Sequence, residues 1–184
     1  MKKQENAIVE FFKSLMISIV FVFVLTQWLI KPIQVNQSSM YPTLKDKQLG
    51  FSNILMYKLF GINRFDVVIF YAPQIDDYLV KRVIALEGEK VEFKDNVLYI
   101  NDLRVEENFI DKDYQQSIID QYGYFNKDFG PLIVSEGEVF LVGDNRLYSV
   151  DSRDYGPFKV SDIICKDVII FYPLNEIHMV LGAS

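Results

Sequence analysis

Residues Lys90–Val105 read KVEFKDNVLYINDLRV. Apolar and polar side chains alternate through KVEF and VLYI, the period of a strand that turns one face to a core. Between the runs stand Lys94-Asp95-Asn96 and Asn101-Asp102, whose short polar side chains suit the tight turns of hairpins. The stretch therefore predicts an antiparallel meander. Working outward, FDVVIFYA (Phe65–Ala72), YLVKRVIAL (Tyr78–Leu86), EVFLVGD (Glu138–Asp144) and DVIIFY (Asp167–Tyr172) carry the same signature. No segment after Ile33 sustains helical periodicity, so a mainly β domain built on antiparallel sheet is expected. Glu106–Gly130, polar with scattered aromatics, reads as an irregular excursion. Phe51–Asn63, FSNILMYKLFGIN, reads as core strand and turn in preference to a hairpin resting on a membrane.

The chain has 184 residues, 50% of them hydrophobic, which is enough for one domain with a real core plus an appendage. A formal net charge of −6, with no cluster of basic residues, argues against a nucleic-acid partner. The single cysteine, Cys165, has no second thiol for a disulfide or a metal and reads as a buried strand residue.

Ser14–Ile30, SLMISIVFVFVLTQWLI, carries no charge, and Phe11 and Phe12 extend it across Lys13. About 20 apolar residues span a bilayer core, and a lysine near the end can snorkel to the headgroups. Trp28 suits the interface, and Lys31-Pro32 close the segment. In KPIQVNQSSM neither serine has a small residue two positions before it, so the segment is expected as an uncleaved anchor and not a signal peptide. The expected organisation is a cytoplasmic N-terminus (1–10), a transmembrane helix (11–31) and an extracytoplasmic β-rich domain (32–184). Three lysines precede the helix and three follow it closely, so charge alone sets only a weak bias in orientation.

Just beyond the anchor, VNQSSMYPTL (Val35–Leu44) presents adjacent hydroxyls at Ser38 and Ser39, and the pattern alone does not choose between them. A serine nucleophile needs a base. The one histidine, His178, lies six residues from the C-terminus and makes a poor candidate. A lysine amine can serve if it is neutral, which requires lowering its ordinary pKa of about 10.4 by about 2 to 3 pH units through burial among apolar groups. Lys81 fits, flanked on its own strand face by Leu79 and Val83, with Arg82 turned the other way. Lys58, in MYKLF, has no polar catalytic signal beside it. A third cluster, GDNRLYSVDSRDYG (Gly143–Gly156), follows an apolar strand and could supply hydroxyl and ion-pair support. Its carboxylates lack the EF-hand spacing and its two arginines oppose a cation, so no metal or other cofactor is expected.

Together, SSMYPTL, YLVKRVIALEGEK and GDNRLYSVDSRDYG, in that order behind one anchor, resemble the type I signal peptidases of bacteria in their short Gram-positive form, over nearly the whole chain. The resemblance implies a serine endopeptidase that removes signal peptides from exported preproteins after small-x-small sites, using a Ser-Lys dyad and an acyl-enzyme. It implies Ser39 as nucleophile, Lys81 as general base and Ser149 as the hydroxyl that holds the lysine amine. It further implies structural ion pairs Asp144–Arg82 and Asp151–Arg153, and a substrate pocket around Val35, Met40, Leu44, Leu79 and Val80. The partners implied are signal peptides, the lipid bilayer and the secretion translocon, with the catalytic domain on the outer face of the cell membrane. Some positions depart from the family pattern. Gln37 stands where some members place an oxyanion-hole serine, Ser38 and Phe65 replace glycines, Ala85, Glu87 and Glu89 replace Gly, Pro and Asp, and Leu147-Tyr148 replace Asp-Asn. A self-cleaving regulator of the repressor type, and an anchored β-domain that only binds a partner or an inactive homologue, are the competing readings.

Overall fold

The computed structural model describes residues 2–182; the outer limits of the expected segments, Met1, Ala183 and Ser184, lie outside the described residues. Helix α1 spans Lys2–Trp28, and its stretch Ile8–Trp28, 21 residues of mean hydropathy 2.3 with no part buried, is long and apolar enough to cross a membrane. The helix stops three residues short of the expected limit at Lys31. Ile30–Gln34 instead forms strand β1, paired antiparallel with β2 (Leu49–Asn53) from Ile30 opposite Asn53 to Gln34 opposite Leu49. Pro32, which cannot donate to a ladder, is accommodated because β1 is an edge strand.

The main sheet continues through β3 (Val67–Ala72), β4 (Asp77–Ala85), β9 (Glu138–Val142), β10 (Phe158–Lys159), β11 (Ile163–Tyr172) and β12 (His178–Val180). Its order is β1-β2-β11-β3-β4-β9-β10, with β12 also on β11. A second, four-stranded sheet holds β5 (Lys90–Lys94), β6 (Val97–Ile100), β7 (Leu103–Val105) and β8 (Phe129–Ile133) in the order β7-β6-β5-β8. This sheet contains the meander. Asp95, Asn96, Asn101 and Asp102 all have positive φ, and two-residue turns leave Lys94 opposite Val97 and Ile100 opposite Leu103. A core of Ile84, Val91, Phe93, Leu98, Phe140 and Val142 joins the two sheets, and a second core packs Val68, Phe70, Val83 and Leu141 against Phe158.

The two stretches read as strand-and-turn and as an irregular excursion both contain helix. Within Phe51–Asn63 the strand β2 is followed by α2 (Ile54–Phe60), capped by Asn53, whose side chain accepts from the Met56 N–H at 2.8 Å. Only Ile54 of α2 is buried, while Leu59 and Phe60 are each 63% exposed. Glu106–Gly130 is likewise not irregular throughout, because Lys112–Tyr122 forms helix α3, opened by the Asp111 side chain on the Tyr114 N–H and closed by Gly123 at φ +84°. It seats Ile118 with Ile110 and Phe125 in a small core of its own. One buried face on an otherwise polar helix leaves little periodic signal, although its caps, Asp before and Gly after, are readable. Replacing Asp111 by alanine should cost about 1 kcal/mol of stability, as for a helix N-cap, measured by urea unfolding; an unchanged midpoint would show that the cap supports nothing.

Candidate active site

β4 is the spine of the site. It pairs with β3 from Asp77 to Arg82 but with β9 only over Arg82–Ala85, so the side of Asp77–Lys81 facing away from β3 has no strand partner among the described residues. Lys81 sits opposite Val68, 2% exposed, and Arg82, equally buried, follows it. Arg82 Nε and Nη2 donate to the two Asp144 oxygens at 2.9 and 2.7 Å, Nη1 donates to the Phe65 carbonyl at 2.9 Å, and the guanidinium lies 4.0 Å from the Phe109 ring centre. Phe65 itself has φ +71°, which explains why a glycine is natural there.

β9 runs into the loop 143–151, where Asp151 caps the short helix α4 (Ser152–Tyr155) and accepts from Arg153 Nε and Nη2, both at 2.9 Å. Burial works against ionisation of Asp151, yet the Arg153 guanidinium holds its carboxyl below the usual range. Both carboxylates near Lys81 are thus engaged by arginines. Lys81 Nζ makes no ion pair and no hydrogen bond among the described residues. Burial lowers its pKa from 10.5 to about 8, opposed by the charge of Asp151 and reinforced by that of Arg153.

The segment 35–44 folds onto this loop. Met40 and Leu44 are buried with Val35 against Val168 and Ile170, with Val80 alongside. The Thr43 hydroxyl donates to Asp144, and the Asn145 N–H donates to the Ser39 carbonyl at 3.0 Å. A Cβ on Gly143 would overlap both the Ser39 carbonyl and the Ser149 side chain, so glycine is required for the two serines to meet at this point of the loop. Ser149 Oγ is buried and makes no hydrogen bond of good geometry, the one such side-chain atom among the described residues, although its hydroxyl lies close enough to Asp151 to help hold that carboxyl down. Ser39 is partly exposed and faces a cavity of about 80 Å³ walled by Val35, Gln37, Met40, Leu79 and Val80. Leu44 lies beneath it, in the core. Gln37, at φ +79°, is fastened through its N–H to Asp46 at 2.9 Å.

His178 is elsewhere. Its ring nitrogens lie 2.7 Å from the Glu176 carbonyl and 3.1 Å from the Thr43 carbonyl, bordering a larger opening of about 420 Å³ that contains no serine. Cys165 is buried, and Lys58 is exposed beside the Trp28 ring. Several residues with clear structural work escaped the sequence reading. Arg146, fully buried, pairs with Glu107, donates to Asn126 Oδ1 at 2.8 Å and so ties the loop to the excursion. Lys166 pairs with Asp66 at 3.0 Å inside the sheet. Arg146 lay within a quoted motif; the long-range partners Glu107 and Asp66 have no local signal.

Residues 8–172 match the family model described as "Signal peptidase, peptidase S26". The chain is 32% identical to signal peptidase I S of Bacillus subtilis over 95% of each chain, and 35% identical to signal peptidase I T of the same organism over 96% of this chain and 92% of that one. It is 33% identical to signal peptidase IB of Staphylococcus aureus, over 96% and 94%. Among solved structures, a signal peptidase I from Enterococcus faecalis superposes with a TM-score of 0.53 at 32% identity, covering 57% of this chain and 95% of that one.

Keeping an amine buried without a counter-ion has a stability consequence. Lowering a pKa from 10.5 to about 8 corresponds to about 3 kcal/mol against folding while the amine is protonated. Below pH 8 both folded and unfolded chains carry the proton and the full penalty applies. Between pH 8 and 10.5 the unfolded chain binds more protons, so stability rises with pH and the penalty disappears. Lys81→Met should therefore unfold at higher urea than the wild type at pH 7, with an advantage that shrinks from pH 8 to 10.5. A pH-independent difference would contradict the assigned environment.

Proposed function

The chain belongs to the peptidase S26 family of signal peptidases, and from that premise we propose that it cuts signal peptides from preproteins with Ser39 as nucleophile and Lys81 as general base. The observation that carries the reading is the environment of Lys81: a buried amine with its pKa lowered to about 8, whose neighbouring carboxylates are already paired with arginines. Such an amine is neutral often enough near neutral pH to accept a proton. Neutral Lys81 would take the Ser39 hydroxyl proton as the oxygen attacks the scissile carbonyl. The resulting oxyanion would be met by the Ser39 backbone N–H, and the lysine ammonium would return the proton to the leaving amine. Lys81 would then take a proton from the water that hydrolyses the acyl-enzyme. Ser149 Oγ, whose lone pairs accept no hydrogen bond, would accept from the lysine amine and hold it towards Ser39.

The substrate would enter as an added strand along the free side of Asp77–Lys81. The cavity of about 80 Å³ beside Ser39 is of a size to take a small side chain, which supports cleavage after small residues. Apolar α1 would anchor the chain in the bilayer, with its N-terminus cytoplasmic and the β domain on the outer face, within reach of preproteins leaving the secretion translocon. The Ile54 and Leu55 N–H groups donate to the Leu29 carbonyl, so α2 is fastened to the foot of α1, and its exposed Leu59 and Phe60 would rest at the lipid surface.

Full-length protein in detergent should release the mature chain from a preprotein bearing a small-x-small site. Ser39→Ala and Lys81→Arg should abolish release, since guanidinium stays protonated and cannot act as base, while Ser38→Ala and His178→Ala should keep most of it. Equal loss in folded Ser38→Ala and Ser39→Ala proteins would remove the nucleophile assignment.

A further inference from the structure

Tyr114 stands on α3, outside every motif discussed so far, yet it touches the nucleophile loop. Its hydroxyl donates to Asn145 Oδ1 at 2.8 Å, and its ring meets Tyr41 edge-on at 5.2 Å between centres and Phe125 at 6.2 Å. Asn145, 5% exposed, then makes two contacts to consecutive carbonyls. Its Nδ2 donates to the Ser38 carbonyl at 2.9 Å and its backbone N–H to the Ser39 carbonyl at 3.0 Å. The Ser38 carbonyl also accepts from the Tyr41 N–H at 3.0 Å, whereas the Ser39 N–H donates to nothing among the described residues.

A trans peptide is planar, with its C=O and N–H pointing in opposite directions. Fixing the Ser38 carbonyl therefore fixes the direction of the Ser39 N–H, because both belong to one peptide unit. Asn145 can fix it only with its amide the right way round. A reversed amide would set Oδ1 against the Ser38 carbonyl, two acceptors face to face. With Nδ2 on that carbonyl, Oδ1 points at Tyr114 and needs a donor there. Burial pushes the Tyr114 hydroxyl up to about 12, so it keeps its proton and remains a donor across the range in which Lys81 titrates.

We infer that Tyr114, acting through Asn145, is a positioning residue that aims the Ser39 backbone N–H at the oxyanion of the reaction, so that the α3 excursion is part of the catalytic apparatus. The inference rests on Ser39 being the nucleophile. A free N–H that swings away stabilises a developing charge less well, and one preorganised donor of this kind is commonly worth 10²- to 10³-fold in turnover. The hydroxyl of Tyr114 contributes only to its aim, so its removal should cost less.

The test is steady-state cleavage by the full-length protein, with Tyr114→Phe, Asn145→Ala, the double variant and Ser39→Ala measured together and turnover normalised to the folded fraction by circular dichroism. Tyr114→Phe keeps the ring contacts and loses only the hydroxyl. Its kcat should fall about 3- to 10-fold, the worth of one neutral hydrogen bond, with KM and the midpoint of the kcat/KM pH profile unchanged. Asn145→Ala should lose more, and adding Tyr114→Phe to it should lose nothing further. Residual turnover by Ser39→Ala would defeat the nucleophile assignment and the inference with it. With Ser39→Ala inactive, the inference alone is overturned if Tyr114→Phe turns over like the wild type per folded molecule, if its effect lies in KM, or if the two losses multiply.

Discussion

Lys81 is a cation's side chain buried in a sheet without a counter-ion, and the surrounding architecture is organised around keeping it so. Asp144 and Asp151 both lie close enough to raise its pKa. Left unpaired, either could turn the amine into a permanently protonated ion. Arg82 and Arg153 prevent this by engaging the carboxylates in two-point contacts, a geometry that a guanidinium makes and an ammonium does not. Burial then dominates. The energetic cost falls on the fold, which carries it through packing on both sides of β4, with Val83 in one core and Ile84 in another.

The same two carboxylates also join the parts of the site. Asp144 holds Arg82 of β4 and the Thr43 hydroxyl of the serine segment. Asp151 accepts from the Gly143 N–H at 3.0 Å and caps α4. Gly143 leaves room for Ser39 and Ser149 to crowd the space a side chain would fill, and Arg146 and Asn145 carry the connection on to the excursion at Glu107 and Tyr114. Segments distant in sequence thus meet on one loop. Alteration of any one of them would be felt at Ser39 or Lys81 through a short chain of direct contacts.

How far this was readable from sequence follows from the range of each interaction. The meander was legible because alternation and the turn residues Asp95-Asn96 and Asn101-Asp102 are local. The interest of Lys81 was legible because a charge inside an apolar strand is a local anomaly. The choice between Ser38 and Ser39 was not, since neighbouring hydroxyls differ only in what they face. The end of α1 depended on β1 pairing with Leu49–Asn53, a contact that no apolar run announces. α3 was missed because only Ile118 is buried on it, although Asp111 and Gly123 marked its ends. Tyr114 looked like one aromatic among several in a polar stretch; only its partner Asn145 gives it a role.

In the resting protein Lys81 is held as an unpaired amine with a lowered pKa. Nuclear magnetic resonance of lysine side chains labelled with carbon-13 at Cε, titrated by pH and assigned by comparison with Lys81→Met, reads that directly. One lysine resonance, absent from the variant, should titrate near pH 8. If the Lys81 resonance instead titrated near the ordinary lysine value of about 10.4, the amine would be protonated at neutral pH and the assigned environment would be wrong.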